Sequence, residues 1–131
     1  MSSNVELIKE IYAAFAQGDI PAILNSLSDD VEWRWGTIAN LPFAGEYNGP
    51  DQVVEFFQGV GESLEIRQFE QDVYIDGGDY VVVLGTIDSI AIPTGKRWAD
   101  QYVHVWQIRK GQVTGYSQFT DSAAALEAFT R

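Results

Sequence analysis

Residues 64–120 read LEIRQFEQDVYIDGGDYVVVLGTIDSIAIPTGKRWADQYVHVWQIRKGQVTGYSQFT, and this stretch decides the fold. Runs rich in β-branched and aromatic residues alternate here with three short segments of Gly, Pro, Asp and Lys, which have turn chemistry. The predicted strands cover residues 64–75, 80–92, 97–109 and 112–120. Turns this short join neighbouring strands of opposite direction, so the stretch predicts an antiparallel meander.

Two helices are predicted near the start of the chain. Ser3-Asn4-Val5-Glu6 matches a capping box, and the apolar helical stripe behind it stops at Gly18. A second helix starts with Asp19 as its N-cap. It is expected to carry Ile23, Leu24 and Leu27 on one side.

Alternating apolar residues then predict a strand over Val31–Trp35, followed by a loop from Gly36 to Gly49. Pro50 is expected to begin a third helix, and Asp121 is expected to cap a short closing helix, which gives Asp121 a structural role. This order of elements predicts an α+β fold for a single domain over residues 1–131. Its curved antiparallel sheet carries the helices on the concave face, and a cone-shaped cavity lies between them.

Composition excludes several classes of function. The 131 residues include no cysteine, so disulfides, a thiolate nucleophile and Cys-ligated metals are ruled out. One histidine and no glycine-rich phosphate loop predict neither a metal site nor a cofactor. A net charge of −11 repels phosphate backbones and anionic lipids, so no nucleic acid and no membrane are expected as partners. The charged first residues give no secretory segment, which predicts a cytoplasmic location.

Candidate functional residues lie on the strand predicted over residues 97–109. Side chains alternate along a strand, so one face carries Trp98, Asp100, Tyr102, His104 and Trp106. Three aromatic residues, a carboxylate and the single histidine make up a mostly apolar pocket with a few polar groups. Asp100 and His104 stand roughly 13 Å apart along the strand, with Tyr102 between them. These three are the predicted catalytic residues, with His104 transferring protons because an imidazole titrates near neutral pH.

Structural interpretations compete with these roles. His104 is equally compatible with a hydrogen-bonded core histidine, and Asp100 with a solvated charge at a strand end. Trp33 and Trp35 share one face of their strand, where they either line a pocket for a flat apolar ligand or pack in the core. Tyr12 lies on the apolar stripe of the first helix, so it either presents its hydroxyl to the cavity or only packs.

The element order and several short motifs resemble the SnoaL-like branch of the nuclear transport factor 2-like superfamily. The motifs are Ala16-Gln17-Gly18-Asp19, Asp29-Asp30-Val31-Glu32-Trp33, Val103-His104-Val105-Trp106, Lys110-Gly111-Gln112-Val113 and Phe119-Thr120-Asp121. The resemblance covers essentially the whole chain and implies a cone-shaped α+β barrel that forms homodimers through the outer face of its sheet. The scaffold hosts polyketide cyclases, ketosteroid isomerases, epoxide hydrolases, dehydratases and noncatalytic proteins, so it implies no single activity.

The family's catalytic residues match this chain only in part. In the SnoaL-type cyclases a pocket histidine follows a valine, and His104 matches it. Their general-base aspartate falls at Gln118, whose amide orients a carbonyl or a water but takes up no proton at neutral pH. The epoxide hydrolase pattern needs charged residues where this chain has Gly85 and Ile87, and the ketosteroid isomerase base falls at about Trp33.

The residues alone leave the pairing of the last two strands open. A two-residue turn at Lys110-Gly111 sets Ser117 and Phe119 beside His104 and Tyr102. An odd-length loop sets a different group there: Tyr116, Gln118 and Thr120. The family pattern favours this second arrangement, and it also directs four other side chains toward the cavity. Those four are Trp33, Trp35, Asp100 and Tyr102.

The sequence therefore predicts a small-molecule pocket protein of SnoaL-like type. We interpret it as an acid–base isomerase, cyclase or hydrolase without a cofactor, acting on a small apolar or cyclic carbonyl or hydroxyl compound. The alternative is a noncatalytic binder of a hydrophobic metabolite or a dimeric interaction domain. The predicted substrate-binding residues are Trp33, Trp35, Tyr116, Gln118, Thr120 and Tyr12.

Overall fold

The fold is taken from a computed structural model that describes residues 3–36 and 41–131. The elements follow one another as α1 (Asn4–Ala16), α2 (Ile20–Asn25), β1 (Leu27–Trp35), β2 (Gly45–Asn48), α3 (Pro50–Ser63), β3 (Leu64–Gly77), β4 (Tyr80–Ala91), β5 (Lys96–Arg109), β6 (Gln112–Thr120) and α4 (Ser122–Phe129). The predicted α+β class is confirmed. Ser3 caps α1 by accepting a hydrogen bond from the backbone N–H of Glu6 at 3.1 Å, which is one half of the predicted capping box.

The six strands form one curved sheet in the order β2-β1-β6-β5-β4-β3. Strands β3 to β6 pair antiparallel in sequence order, so the predicted meander is confirmed. The curved sheet is antiparallel at every pairing except one, because β1 runs parallel to β6. The sheet is also not closed into a barrel, since β2 and β3 form free edges.

The prediction for the region around the first strand needs two corrections. Leu27 does not belong to α2, which ends at Asn25; it begins β1, where it is buried and pairs with Val113. The predicted loop from Gly36 to Gly49 contains the short strand β2, which pairs with β1. Residues 37–40 of that loop lie outside the described residues.

A bulge sets which side chains of β6 face inward. Arg109 pairs with Gln112 across a two-residue turn, as in the first of the two predicted arrangements. The register then shifts by one residue. Ile108 pairs with Val113, but Gln107 pairs with Gly115, so Thr114 is an extra residue in β6. Beyond this bulge the second arrangement holds: the pairs are Trp106 with Tyr116, His104 with Gln118 and Tyr102 with Thr120.

Helices α1 and α3 pack over the concave face of the sheet, as predicted. Helix α1 lies against β3 and β4, whereas α3 lies against β1, β2 and β3. Inward-facing aromatic residues of the sheet and the apolar stripes of these helices form one continuous core. Within the described parts of the chain, no helix is long and apolar enough to cross a membrane.

Candidate functional site

A cavity of about 80 Å³ lies between the concave face of the sheet and the helices. Its wall is almost entirely aromatic and aliphatic, with contributions from α1, α2, α3, β1 and β3 to β6. Among the described residues, no Asp, Glu, Lys or Arg side chain lines it. The space therefore suits a small, uncharged and mostly apolar molecule.

Most of the predicted site residues meet at this cavity. Its wall includes Tyr12, Trp33, Trp35, Tyr102, His104, Tyr116 and Gln118. These side chains come from α1, β1, β5 and β6, which the fold brings together although they are far apart in sequence.

Asp100 and Thr120 are placed elsewhere, because neither belongs to the cavity wall. The Asp100 carboxylate accepts hydrogen bonds from the backbone N–H of Gln101 at 2.8 Å and from the indole N–H of Trp98 at 3.4 Å. The Thr120 hydroxyl lies 3.2 Å from the same carboxylate and 2.9 Å from the Gln101 carbonyl. Asp100 thus forms hydrogen bonds with its neighbours at the end of the sheet and does not line the cavity.

A buried hydrogen-bond chain links β5 to α1. The indole Nε1–H of Trp106 donates to the Tyr12 hydroxyl oxygen at 3.0 Å, and that hydroxyl lies 2.6 Å from Nδ1 of His104. All three side chains are at least nine-tenths buried. Tyr12, on the apolar stripe of α1, therefore forms a hydrogen bond with His104 in addition to packing in the core.

The chain of hydrogen bonds favours one tautomer of the imidazole. Because the Tyr12 oxygen already accepts from Trp106, its own O–H proton is free to donate to Nδ1 of His104. Among the described residues, the Tyr12 hydroxyl makes hydrogen bonds only with Trp106 and His104. A neutral imidazole that accepts at Nδ1 carries its hydrogen on Nε2. Nε2–H is therefore the group that His104 offers to a ligand.

Burial keeps this imidazole neutral. Removal from water lowers the pKa of His104 from its ordinary value of 6.5 to about 3, because the charged form loses its hydration. Burial also raises the pKa of Tyr12 and of Tyr116 well above 10, so both phenols keep their protons. At neutral pH these polar groups of the wall are all uncharged.

Tyr102 contacts His104 through the tyrosine ring and not through the tyrosine hydroxyl. The two rings stack with centroids 4.1 Å apart. The Tyr102 hydroxyl donates to the backbone carbonyl of Glu70 at 2.6 Å and accepts from Nε2 of Gln71 at 3.2 Å. This hydroxyl is thus occupied inside the sheet, and the ring face is what Tyr102 contributes to the site.

Two polar atoms of the wall have no hydrogen-bond partner among the described residues: Nε1 of Trp33 and Oε1 of Gln118. The Trp33 ring stacks on Tyr116 with centroids 4.0 Å apart, and its side chain is only 2% exposed. Gln118 is 6% exposed and pairs with His104 across the β5–β6 ladder. Two residues of the cavity wall thus carry a buried donor and a buried acceptor without partners.

Part of the cavity wall was not predicted from the sequence. Phe69 of β3 packs against residues of both α1 and β5. Its ring centroid lies 5.9 Å from that of Tyr12, 5.2 Å from that of Tyr102 and 6.1 Å from that of His104. Phe56 and Phe57 of α3 pack on the Trp33 ring. Nothing in the sequence showed which ring α3 would cover.

Metal binding finds no support in the described chain. Within residues 3–36 and 41–131, no group of three or more His, Cys, Asp or Glu side chains is placed to hold a metal ion.

Comparison with known proteins places this architecture in the nuclear transport factor 2-like fold. A nuclear transport factor 2-like protein of unknown function from Burkholderia pseudomallei is 30% identical, with full coverage of both chains and a TM-score of 0.91. A similar protein from Burkholderia thailandensis is 28% identical, again over both full chains, with a TM-score of 0.90. TerC, crystallised together with polyporic acid, is 31% identical over 98% of each chain, with a TM-score of 0.87.

The family follows from the sequence match. The SnoaL-like domain matches residues 8–116, which is most of the chain. This protein belongs to the SnoaL-like domain family. A search of curated proteins found no match.

Proposed function

We propose that this protein binds a small apolar or cyclic compound that carries a carbonyl or hydroxyl group, with Nε2–H of His104 donating a hydrogen bond to the ligand oxygen. The observation that carries the proposal is the chain from Trp106 through Tyr12 to Nδ1 of His104. That chain leaves a neutral N–H donor in a wall that is otherwise almost entirely aromatic and aliphatic. Flat aromatic side chains around one fixed donor suit a ring with a polar substituent.

A relative supports the choice of ligand. TerC, which is 31% identical to this chain over 98% of its length, was crystallised with polyporic acid.

The catalytic form of the proposal is isomerase or cyclase chemistry on the same compound. A fixed N–H donor stabilises negative charge that develops on a carbonyl oxygen, and a neutral histidine serves this purpose in a known isomerase. His104 is the residue that touches the substrate in this proposal, and Tyr102 positions its ring by stacking. Asp100 takes no part, because it lies outside the cavity wall. The cytoplasmic location predicted above belongs to the same proposal.

The binding role of His104 is tested with a ketone and its matching hydrocarbon. We expect 1-tetralone to bind the protein more tightly than tetralin, because only the ketone accepts the hydrogen bond from His104. In His104→Phe the ketone should lose about tenfold in affinity, which corresponds to one hydrogen bond, and tetralin should lose little. Isothermal titration calorimetry measures both ligands on both proteins. An equal preference for the ketone in the two proteins would contradict the role of His104.

The outer face of the sheet supports a homodimer. Val73, Leu84, Val103 and Phe119 are direct neighbours across β3, β4, β5 and β6, so they form one apolar row on that face. The exposed fraction is 45% for Val73, 36% for Leu84 and 59% for Phe119. We propose that this row packs against the same row of a second copy, because large exposed apolar patches mark interaction surfaces.

A single lysine in the row should separate the two copies. We expect the wild-type protein to be a dimer and Leu84→Lys a monomer, because an unpaired charge would be buried at the centre of the interface. Thr86→Lys is the control, since Thr86 lies exposed on the same strand beside polar neighbours. Size-exclusion chromatography with light scattering gives the masses. A monomeric wild type, or a dimeric Leu84→Lys, would refute this interface.

A further inference from the structure

The unpartnered atoms of Trp33 and Gln118 indicate what the ligand must carry. We propose that the cavity selects a neutral ring compound that carries both a carbonyl and a hydroxyl group. The hydroxyl group donates a hydrogen bond to Oε1 of Gln118, and an oxygen of the compound accepts one from Nε1 of Trp33. This inference rests on the proposed function, because it concerns the ligand of the same cavity. It adds the chemical feature that distinguishes the ligand from other apolar ketones.

The two atoms have fixed and opposite capacities. An indole Nε1–H is only a donor, and an amide oxygen is only an acceptor. Both atoms are already buried without a partner in the unliganded protein, so a ligand group that pairs with them supplies hydrogen bonds that the protein lacks, whereas a ligand that cannot pair with them leaves them unpaired. A compound with acceptors alone satisfies Trp33 but leaves Gln118 unpaired. The ligand that satisfies both atoms must also carry a donor.

The wall also favours a neutral ligand over an anion. Among the described residues, no Lys or Arg side chain lines the cavity to balance a negative charge. The amide oxygen of Gln118 presents partial negative charge to the ligand, and an anionic oxygen has no proton to donate to it. The hydroxyl must therefore keep its proton in the bound state.

Gln118 reaches the cavity because of a specific feature of the backbone. The bulge at Thr114 shifts the register of β6 by one residue. Without it, Ser117 would face His104, and Gln118 would lie on the outer face of the sheet. Buried polar groups nearly always have a hydrogen-bond partner. An apolar residue would fill position 118 without an unpaired acceptor, so the unpaired amide is best explained by a ligand group.

The test compares three matched sets of ligands on the wild-type protein. The sets are 5-, 6- and 7-hydroxy-1-tetralone, their methoxy counterparts and unsubstituted 1-tetralone, with affinities measured by calorimetry. The positional isomers sample different separations of hydroxyl and carbonyl. We expect at least one hydroxy compound to bind about tenfold more tightly than its methoxy counterpart, because only the hydroxyl donates to Gln118.

The variant Gln118→Met tests whether the Gln118 amide causes the preference for hydroxy over methoxy ligands. We expect this variant to lose the preference for the hydroxy compound over its methoxy counterpart. The unliganded variant should also melt at a higher temperature, since an unpaired buried acceptor has been removed. If the variant does not fold, the comparison of hydroxy with methoxy ligands on the wild-type protein still decides the question.

The outcomes separate the two proposals. Equal affinity for every hydroxy compound and its methoxy counterpart, with 1-tetralone still bound, would overturn this inference and leave the proposed function standing. A hydroxyl preference that persists in Gln118→Met would also overturn it. Failure of all the tetralones to bind would overturn the proposed function, and this inference with it.

Discussion

Replacing Gly85 with alanine is expected to lower the free energy of unfolding by about 3 kcal/mol or more, because no space exists for a methyl group. A Cβ at this position would lie 2.1 Å from the backbone oxygen of Glu70 and 2.3 Å from both Cζ and the hydroxyl of Tyr102. The Tyr102 side chain crosses β4 at Gly85 to reach the Glu70 carbonyl. Either two strands must separate or the tyrosine must leave, and the ring stacked on His104 would leave with it.

Urea unfolding monitored by tryptophan fluorescence measures this effect. Gly61→Ala is the control, because Gly61 lies in α3 with no heavy atom within 4 Å of the added methyl. A helical glycine replaced by alanine is expected to gain about 0.5–1 kcal/mol. Wild-type stability in Gly85→Ala would show that Tyr102 does not lie against β4 in this way.

Acidification should destabilise the protein through His104. Its pKa is about 3 in the folded chain and 6.5 when unperturbed. Between these values the unfolded chain binds a proton that the folded chain does not, so the free energy of unfolding falls as the pH is lowered from 6.5 toward 3. The slope from this one group approaches about 1.4 kcal/mol per pH unit.

The carboxylates also titrate at low pH, so the variant His104→Phe provides the reference. Subtracting its pH dependence from that of the wild type isolates the contribution of the imidazole. We expect the wild type to lose more stability than the variant between pH 6.5 and pH 4.5, as measured by urea unfolding at several pH values. If the free energy of unfolding falls equally with pH in the two proteins, the folded protein accommodates a charged His104.

The sequence was sufficient to predict the meander because its turns are local. Asp76-Gly77-Gly78-Asp79 and Pro93-Thr94-Gly95-Lys96 have turn chemistry that needs no tertiary information. The parallel pairing of β1 with β6 depends instead on how the ends of the chain meet in space. Strand β2 has only four residues, too few for alternation to be visible.

The site was predictable where it depends on alternation along a strand. That rule placed Tyr102 and His104 on the inner face correctly. It does not distinguish a residue over the cavity from one at the end of the sheet, which is why Asp100 was grouped with them. The bulge at Thr114 was also invisible, because the turn before it follows the ordinary two-residue pattern. The contact of Tyr12 with His104 spans 92 residues, and no local pattern reports it.

Nitrogen-15 NMR of the imidazole most directly tests the claim that a buried tyrosine fixes His104 as a neutral donor. The chain contains one histidine, so labelling gives one pair of ring nitrogen signals. We predict a protonated Nε2 and an unprotonated Nδ1 that stay unchanged from pH 7.5 to pH 4.5, with this preference weakened in Tyr12→Phe. A titration midpoint near 6.5, or a proton on Nδ1, would contradict the account.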